Sequence, residues 1–169
     1  MATLEELASI EQIKAEYRKS LLLNLLQKLV GIMKRSDSFK KKVRKLYSES
    51  TDKLITTKVL IKNKFNFDLN EEDAFLMNEW IQANLRKSDK RKRFTSDYKL
   101  NLYNKQNGKC MVCGEPLGND FSKIHIDHII PWVLVGDEIP NNYQCLCETC
   151  NESKSCHTDY IFKSLLNLN

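Results

Sequence analysis

Glycine and proline are scarce in this chain, at 5 and 3 of its 169 residues, which excludes collagen-like repeats and Pro/Gly-rich low-complexity chains. No stretch reaches the roughly 20 uninterrupted apolar residues that a bilayer-spanning helix needs. The most apolar window, Ser20 to Met33, is broken by Asn24, Gln27 and Lys28, so a membrane-spanning protein is not expected. A secretory leader is not expected either: Glu5 and Glu6 stand where such a segment carries positive charge ahead of an apolar run. The expected compartment is the cytoplasm. With 41% hydrophobic and 29% charged residues, the chain has enough apolar material for a core, which argues against wholesale disorder and for one compact domain or two small ones.

Cysteine is missing from the first 109 residues, and all six cysteines (Cys110, Cys113, Cys145, Cys147, Cys150, Cys156) lie in the last third. Four of them form two C-x-x-C pairs, a spacing that points to metal rather than disulfides in a reducing compartment. Charge is equally uneven. From Lys34 to Lys64 there are eleven basic residues against three acidic, a balance of +8, and Arg86 to Arg93 holds six basic residues against Asp89. Cys110 to Lys163 has three basic residues against eight acidic, or −5.

Residues 3 to 33 read as a helix: Thr3 suits its cap, Glu5 and Glu6 its first turn, and Leu4, Leu7, Ile10, Ile13, Tyr17, Leu21 and Leu25 recur at three and four. From Leu21 to Met33 the apolar surface is too broad for one stripe, so this helix is either central to a bundle or pairs with a second copy of the chain as a homodimer. Ser36 or Asp37 starts a second helix over Phe39 to Tyr47. Asp52 starts a third through Leu54, Ile55, Val59 and Ile61, although Ile, Thr and Val suit a strand as well. Asn70 before Glu71, Glu72 and Asp73 caps a fourth, which runs through Phe75, Trp80 and Leu85. The polar stretch from Ser88 to Phe94 reads as a linker. It divides the chain into a basic helical domain, 1–88, and a C-terminal module, 89–169. Thr95 then caps a helix through Tyr98 and Tyr103 that Asn107-Gly108 stops.

Cys110-Met-Val-Cys113-Gly114 is a tight knuckle, and Cys147-Glu-Thr-Cys150 supplies a matching pair. Four thiolates at these spacings make a closed tetrahedral zinc site that holds structure and does no catalysis. Between the pairs, His125-Ile-Asp127-His128-Ile-Ile-Pro131 alternates like a strand ended by proline, Asn141 to Cys147 reads as a second strand, and Cys150 to Lys154 begins a helix.

In this order the chain resembles the HNH nuclease family, whose pattern runs Asp-His at a strand end, Asn entering the next strand, and Asn or His at the head of a helix. Here these are Asp127, His128, Asn142 and Asn151, over roughly Arg93 to Ile161. The resemblance implies an α+β fold, with a mainly helical N-terminal region before a small zinc-stabilised ββα-metal module. It also implies a metal-dependent endonuclease acting on DNA, expected to be duplex. His128 would activate water, and Mg²⁺ or Mn²⁺ would be held by the oxygens of Asp127 and Asn151. Colicin-type members carry a further His where this chain has Ser155, which favours an oxygen-ligated ion over tightly held zinc.

Lys154 shares a helix face with Asn151 and reads either as a phosphate contact or as a solvated lysine. Asn142, chosen over Asn141 by spacing, would brace the loop and orient His128, or is an ordinary turn residue. His125 is read as a hydrogen-bonded structural histidine, with contact to the metal's outer shell as the alternative. His157 faces away around the helix, Cys145 is a core residue, Cys156 a free buried thiol, and Trp132 packs. The loop Trp132 to Pro140 departs from the family's glycine-rich polar turn, with Val133 to Val135 and acidic Asp137 and Glu138. Two other readings compete: a non-catalytic zinc module that binds nucleic acid or protein, and a nuclease acting on RNA or branched DNA.

Overall fold

A computed structural model describes residues 4–157, with side-chain surroundings from residue 10 onward; Thr3, the side chains of Leu4 and Leu7, and residues beyond His157 fall outside the described part. The chain is α+β. Four helices come first: α1 (Leu4–Arg35), α2 (Asp37–Glu49), α3 (Lys53–Phe65) and α4 (Glu71–Arg86). After residues without regular structure come α5 (Ser96–Lys105), β1 (His125–His128), α6 (Trp132–Val135), β2 (Tyr143–Leu146) and α7 (Glu148–Lys154).

The helix starts follow their caps. The Ser36 side chain accepts from the Phe39 N–H, Asn70 from Asp73, and Thr95 from Tyr98, each satisfying an amide that the first turn leaves without a partner. At the segment where strand and helix compete, Asp52 accepts from both Leu54 and Ile55 N–H, and the fully buried Thr57 hydroxyl donates to Lys53 O at 2.7 Å. Local capping and tertiary burial together outweigh the β-branched preference for a strand. Asn66, in the left-handed region at φ 52°, closes this helix with its N–H on Lys62 O.

The broad apolar surface of α1 is used within the chain. Leu22, Leu23, Leu26, Leu29, Val30 and Met33 are buried, packed with Val43, Tyr47, Ile61, Met77 and Ile81 from α2, α3 and α4. Leu21, at 39% exposure, and Ile10, at 44%, remain on the surface. The same cluster takes in Ile130, Leu134 and Val135 from the C-terminal part. The stretch read as a departing loop therefore forms the short helix α6, docked on α4. Its last carbonyls are held by the end of α4 and the basic segment that follows it: Asn84 Nδ2 donates to Leu134 O at 2.6 Å and Lys87 Nζ to Val133 O at 3.3 Å. Gly136 ends α6 at φ +65°, and a Cβ there would lie 2.7 Å from Lys87 Cβ, so both conformation and space demand glycine.

β1 and β2 pair antiparallel, with His125 opposite Leu146, Ile126 opposite Cys145, Asp127 opposite Gln144, and His128 opposite Tyr143. The Gln106 side chain extends this ladder from the end of α5. Its Oε1 accepts from Cys145 N–H, and its Nε2 donates to Cys145 O.

Candidate active site and zinc cluster

The two C-x-x-C pairs converge. The ligand atoms of Cys110, Cys113, Cys147 and Cys150 all lie within 4.8 Å of one another, and Cys113 Sγ is 4.0 Å from Cys147 Sγ. Zn–S bonds of about 2.3 Å in a tetrahedron put sulfurs about 3.8 Å apart, so the four thiols fit a zinc site. The knuckle is built locally. Gly114 N–H donates to Cys110 O at 2.9 Å, Cys110 N–H to Glu115 O at 2.9 Å, and Gly114 adopts φ +74°. The second pair sits at the start of α7, with Cys147 as its N-cap. Burial opposes ionisation at Cys110, but amides of Cys113, Cys147 and Val112 outweigh it and bring the thiol to about 7. Burial, with further effects from neighbouring thiols, pushes Cys113 and Cys150 up. The thiols of Cys113 and Cys150, which resist ionising, complete a donor set whose charge a dication relieves.

An open cleft of about 370 Å³ lies beside the strand pair, and Asp127, His128, Asn151, Ser155, Trp132 and Arg91 are among its lining residues. Asp127 Oδ2 forms an ion pair with Lys154 Nζ at 2.7 Å and accepts from Gln144 Nε2, across the strand pair, at 3.3 Å. Its Oδ1 has no protein donor among the described residues. The Asn151 side-chain amide likewise makes no hydrogen bond to a described residue. One carboxylate oxygen and one amide carbonyl at the same cleft are hard oxygen donors that fit a Mg²⁺-type ion, with room for water and phosphate.

His128 is buried, at 8% exposure. Its ring packs edge-on against Tyr143 at 4.9 Å, and Tyr143 in turn meets Phe94 and Tyr98. Its Nε2 lies 2.8 Å from Asp137 Oδ1. The same carboxylate accepts from Tyr143 OH at 3.0 Å, Trp132 Nε1 at 3.1 Å and the Lys92 N–H at 2.9 Å. Burial favours the neutral acid, but the bonds from His128, Lys92, Trp132 and Tyr143 outweigh it and hold Asp137 down at about 2. Burial and the Asp137 bond push the Tyr143 hydroxyl up. Sequence reasoning missed Asp137 as a partner of His128, because the two stand nine positions apart on either side of α6, with no periodicity that would pair them.

Asn142 and Asn141 separate clearly. Asn142, 3% exposed, accepts from Ile130 N–H at 2.7 Å and donates to Ile130 O at 2.9 Å, while Asn141 is exposed with φ 57°. Asn142 thus clamps the chain two residues beyond His128.

Four expectations are corrected. Lys154 is neither solvated nor free to meet a phosphate: it is 2% exposed, and its ammonium is committed to Asp127 and to the His128 carbonyl at 2.7 Å. Cys156 is exposed at the cleft rim rather than buried. His157 lies beyond α7, which begins at Glu148 and ends at Lys154 as Ser155 turns at φ +43°, so the helical angle assigned to it does not apply. The His125 side chain makes no hydrogen bond to a described residue, and Leu146 sits opposite it. Cys145 is a core residue, fully buried. Trp132 packs, with Lys87 Nζ 4.4 Å and the Arg91 guanidinium 5.0 Å from its ring centre.

No helix among the described residues is long and apolar enough to cross a membrane. No curated protein and no solved structure matches the chain. The family model described as HNH endonuclease matches residues 110–159, the stretch that contains the four clustered thiols, both strands, α6 and α7.

Proposed function

We propose that the protein is a divalent-metal-dependent endonuclease that hydrolyses phosphodiester bonds in duplex DNA in a reducing cytoplasm, with zinc in the four-thiol site serving structure alone. The observation that carries this reading is one cleft lined by His128, Asp127 and Asn151, where the His128 Nδ1 has no protein partner among the described residues. Asp127 and Asn151 would hold a Mg²⁺ or Mn²⁺ ion, whose chemistry is to neutralise charge on the phosphate and the departing oxygen.

The chain's own residues supply the rest. His128 takes a proton from the attacking water at Nδ1. Asn142 keeps the chain after His128 in place through both polar groups of Ile130. Lys154 acts through others: it satisfies Oδ2 of Asp127 and fixes the His128 backbone from below. Arg91, stacked over Trp132 at the cleft, brings the Arg86 to Arg93 run to the reacting phosphate, and the lysines of α2 and α3 extend a basic surface for neighbouring phosphates. The helical domain, 1–88, grips DNA, and the module at 89–169 cuts it.

Incubation of supercoiled plasmid, linear duplex, single-stranded DNA and RNA with Mg²⁺ or Mn²⁺ tests the reading. Duplex cleavage giving 5′-phosphate and 3′-hydroxyl ends is expected, abolished by His128→Ala with DNA binding retained. Undiminished cutting by that variant overturns His128 as base, cleavage of RNA alone moves the substrate, and binding without cleavage leaves a zinc-stabilised binding module. A homodimer through α1 would use Ile10 and Leu21 rather than the buried Leu22 to Met33 surface. Light scattering at micromolar concentration decides it, and a monomer predicts nicking before linearisation.

A further inference from the structure

We propose that Asp137 is the positioning residue of His128: its carboxylate, which accepts from the Lys92 N–H of the basic linker, Trp132 of α6 and Tyr143 of β2, fixes the imidazole as the Nε2–H tautomer and so turns the Nδ1 lone pair to the cleft. This rests on the reading of His128 as the base, and it assigns to the divergent Trp132 to Pro140 loop the task of setting that base.

The donors at Asp137 leave the carboxylate one option. The Lys92 N–H and Trp132 Nε1–H, both on Oδ2, are groups that only donate. On Oδ1, Tyr143 OH donates, and His128 Nε2 is 2.8 Å away. An ionised carboxylate offers no proton, so Nε2 must carry one. The opposite tautomer would set a nitrogen lone pair against a carboxylate lone pair at hydrogen-bond distance. With the proton on Nε2, the unprotonated Nδ1 is the nitrogen left to accept a proton from water.

The segment that carries Asp137 is also anchored from outside the strand pair. Leu134 and Val135, buried at 2% and 0%, anchor α6 in the core formed with α1 and α4. Asn84 and Lys87 hold the α6 carbonyls, and Gly136 turns the chain directly into Asp137. Lys92, which closes the fourth bond, belongs to the basic linker whose Arg91 lines the cleft. Contact of the linker with a phosphate backbone and orientation of the base are thus joined through one backbone N–H.

The test uses the zinc-loaded full chain. Asp137→Asn is isosteric, yet its amide must still accept from Lys92 and Trp132, so its NH₂ faces Nε2 and drives the proton to Nδ1. Asp137→Ala only removes the bond. A structural role predicts that Asn is the milder change; a positioning role predicts the reverse. Long-range ¹⁵N–¹H spectra of histidine-labelled protein at about pH 9, above the ordinary histidine range, should show Nε2–H at His128 in the native chain. Asp137→Asn should show Nδ1–H, and Asp137→Ala a mixture. Turnover at saturating DNA should fall by about 10³-fold or more in Asp137→Asn, as expected of a base in the wrong tautomer, and by less in Asp137→Ala, with KM little changed in both. Nδ1–H in the native chain overturns the proposal outright, without any variant. So does a native tautomer kept by a folded Asp137→Asn chain, or a greater loss in Asp137→Ala. If the native chain cuts nothing, the endonuclease reading fails, while the spectra still decide whether Asp137 sets the tautomer.

Discussion

The Lys154 ammonium lies 2.7 Å from Asp127 Oδ2 and 2.7 Å from the His128 carbonyl oxygen, with the lysine only 2% exposed. A flexible, strongly hydrated side chain is taken out of water to join α7 to β1 beneath the cleft. Removing one partner of such a pair leaves the other charge, and here a carbonyl too, without compensation. Lys154→Met should therefore cost about 3 kcal/mol of stability, read from urea unfolding, and should lower cleavage because Asp127 and His128 lose their common support. A loss below about 1 kcal/mol, the range of exposed pairs, would contradict a buried ion pair.

Zinc is the second prediction. Elemental analysis should find about one zinc per chain, removed slowly by EDTA, and Cys113→Ser or Cys147→Ser should unfold the C-terminal module, since metal affinity in such a site is folding free energy. The small second core of Cys110, Leu146 and Cys150, with Val112 and Leu117 against it, is too slight to replace the metal. A zinc-free chain with an unchanged melting curve would refute this.

Tyr47 makes the helical region sensitive to alkali. Thr57 spends its only hydroxyl proton on Lys53 O, so the Tyr47 OH, 2.6 Å from Thr57 Oγ1, must be the donor. Burial pushes the phenol up to about 12. The folded pKa lies above the unfolded value, so the stabilising contribution is complete below about pH 10 and is lost as pH rises toward 12, on the order of 2 kcal/mol in all. Unfolding free energies between pH 9 and about 12 should fall with that slope in the native chain and lose it in Tyr47→Phe; equal slopes would exclude Tyr47 as the group responsible.

Lys41, Lys42 and Arg44 are exposed on α2 and form no ion pair among the described residues. Reversing their charge should weaken binding to unrelated DNA sequences alike, and should reduce the slope of log K against log salt by about one for each phosphate that is no longer neutralised. Unchanged affinity would mean that this face meets solvent only.

The caps at Ser36, Asp52, Asn70 and Thr95, the two C-x-x-C pairs and the alternation ending at Pro131 could all be read in sequence, because each depends on residues within about four positions of one another. Asp127, His128 and Asn151 were recognisable as a set only through the resemblance to the HNH pattern, since Asn151 stands 23 residues beyond His128. Tertiary packing decided the rest. Whether the apolar girth of α1 met a second chain or its own core depended on where Val43, Ile61 and Ile81 come to lie. Whether Lys154 faced water or Asp127 depended on how closely α7 crosses β1. The pairing of Asp137 with His128 depended on anchoring Leu134 and Val135 in a core made mostly from residues more than 50 positions earlier. Burial and charge pairing act between groups that the chain brings together only after it has folded, so their outcome is not written in the spacing of neighbours.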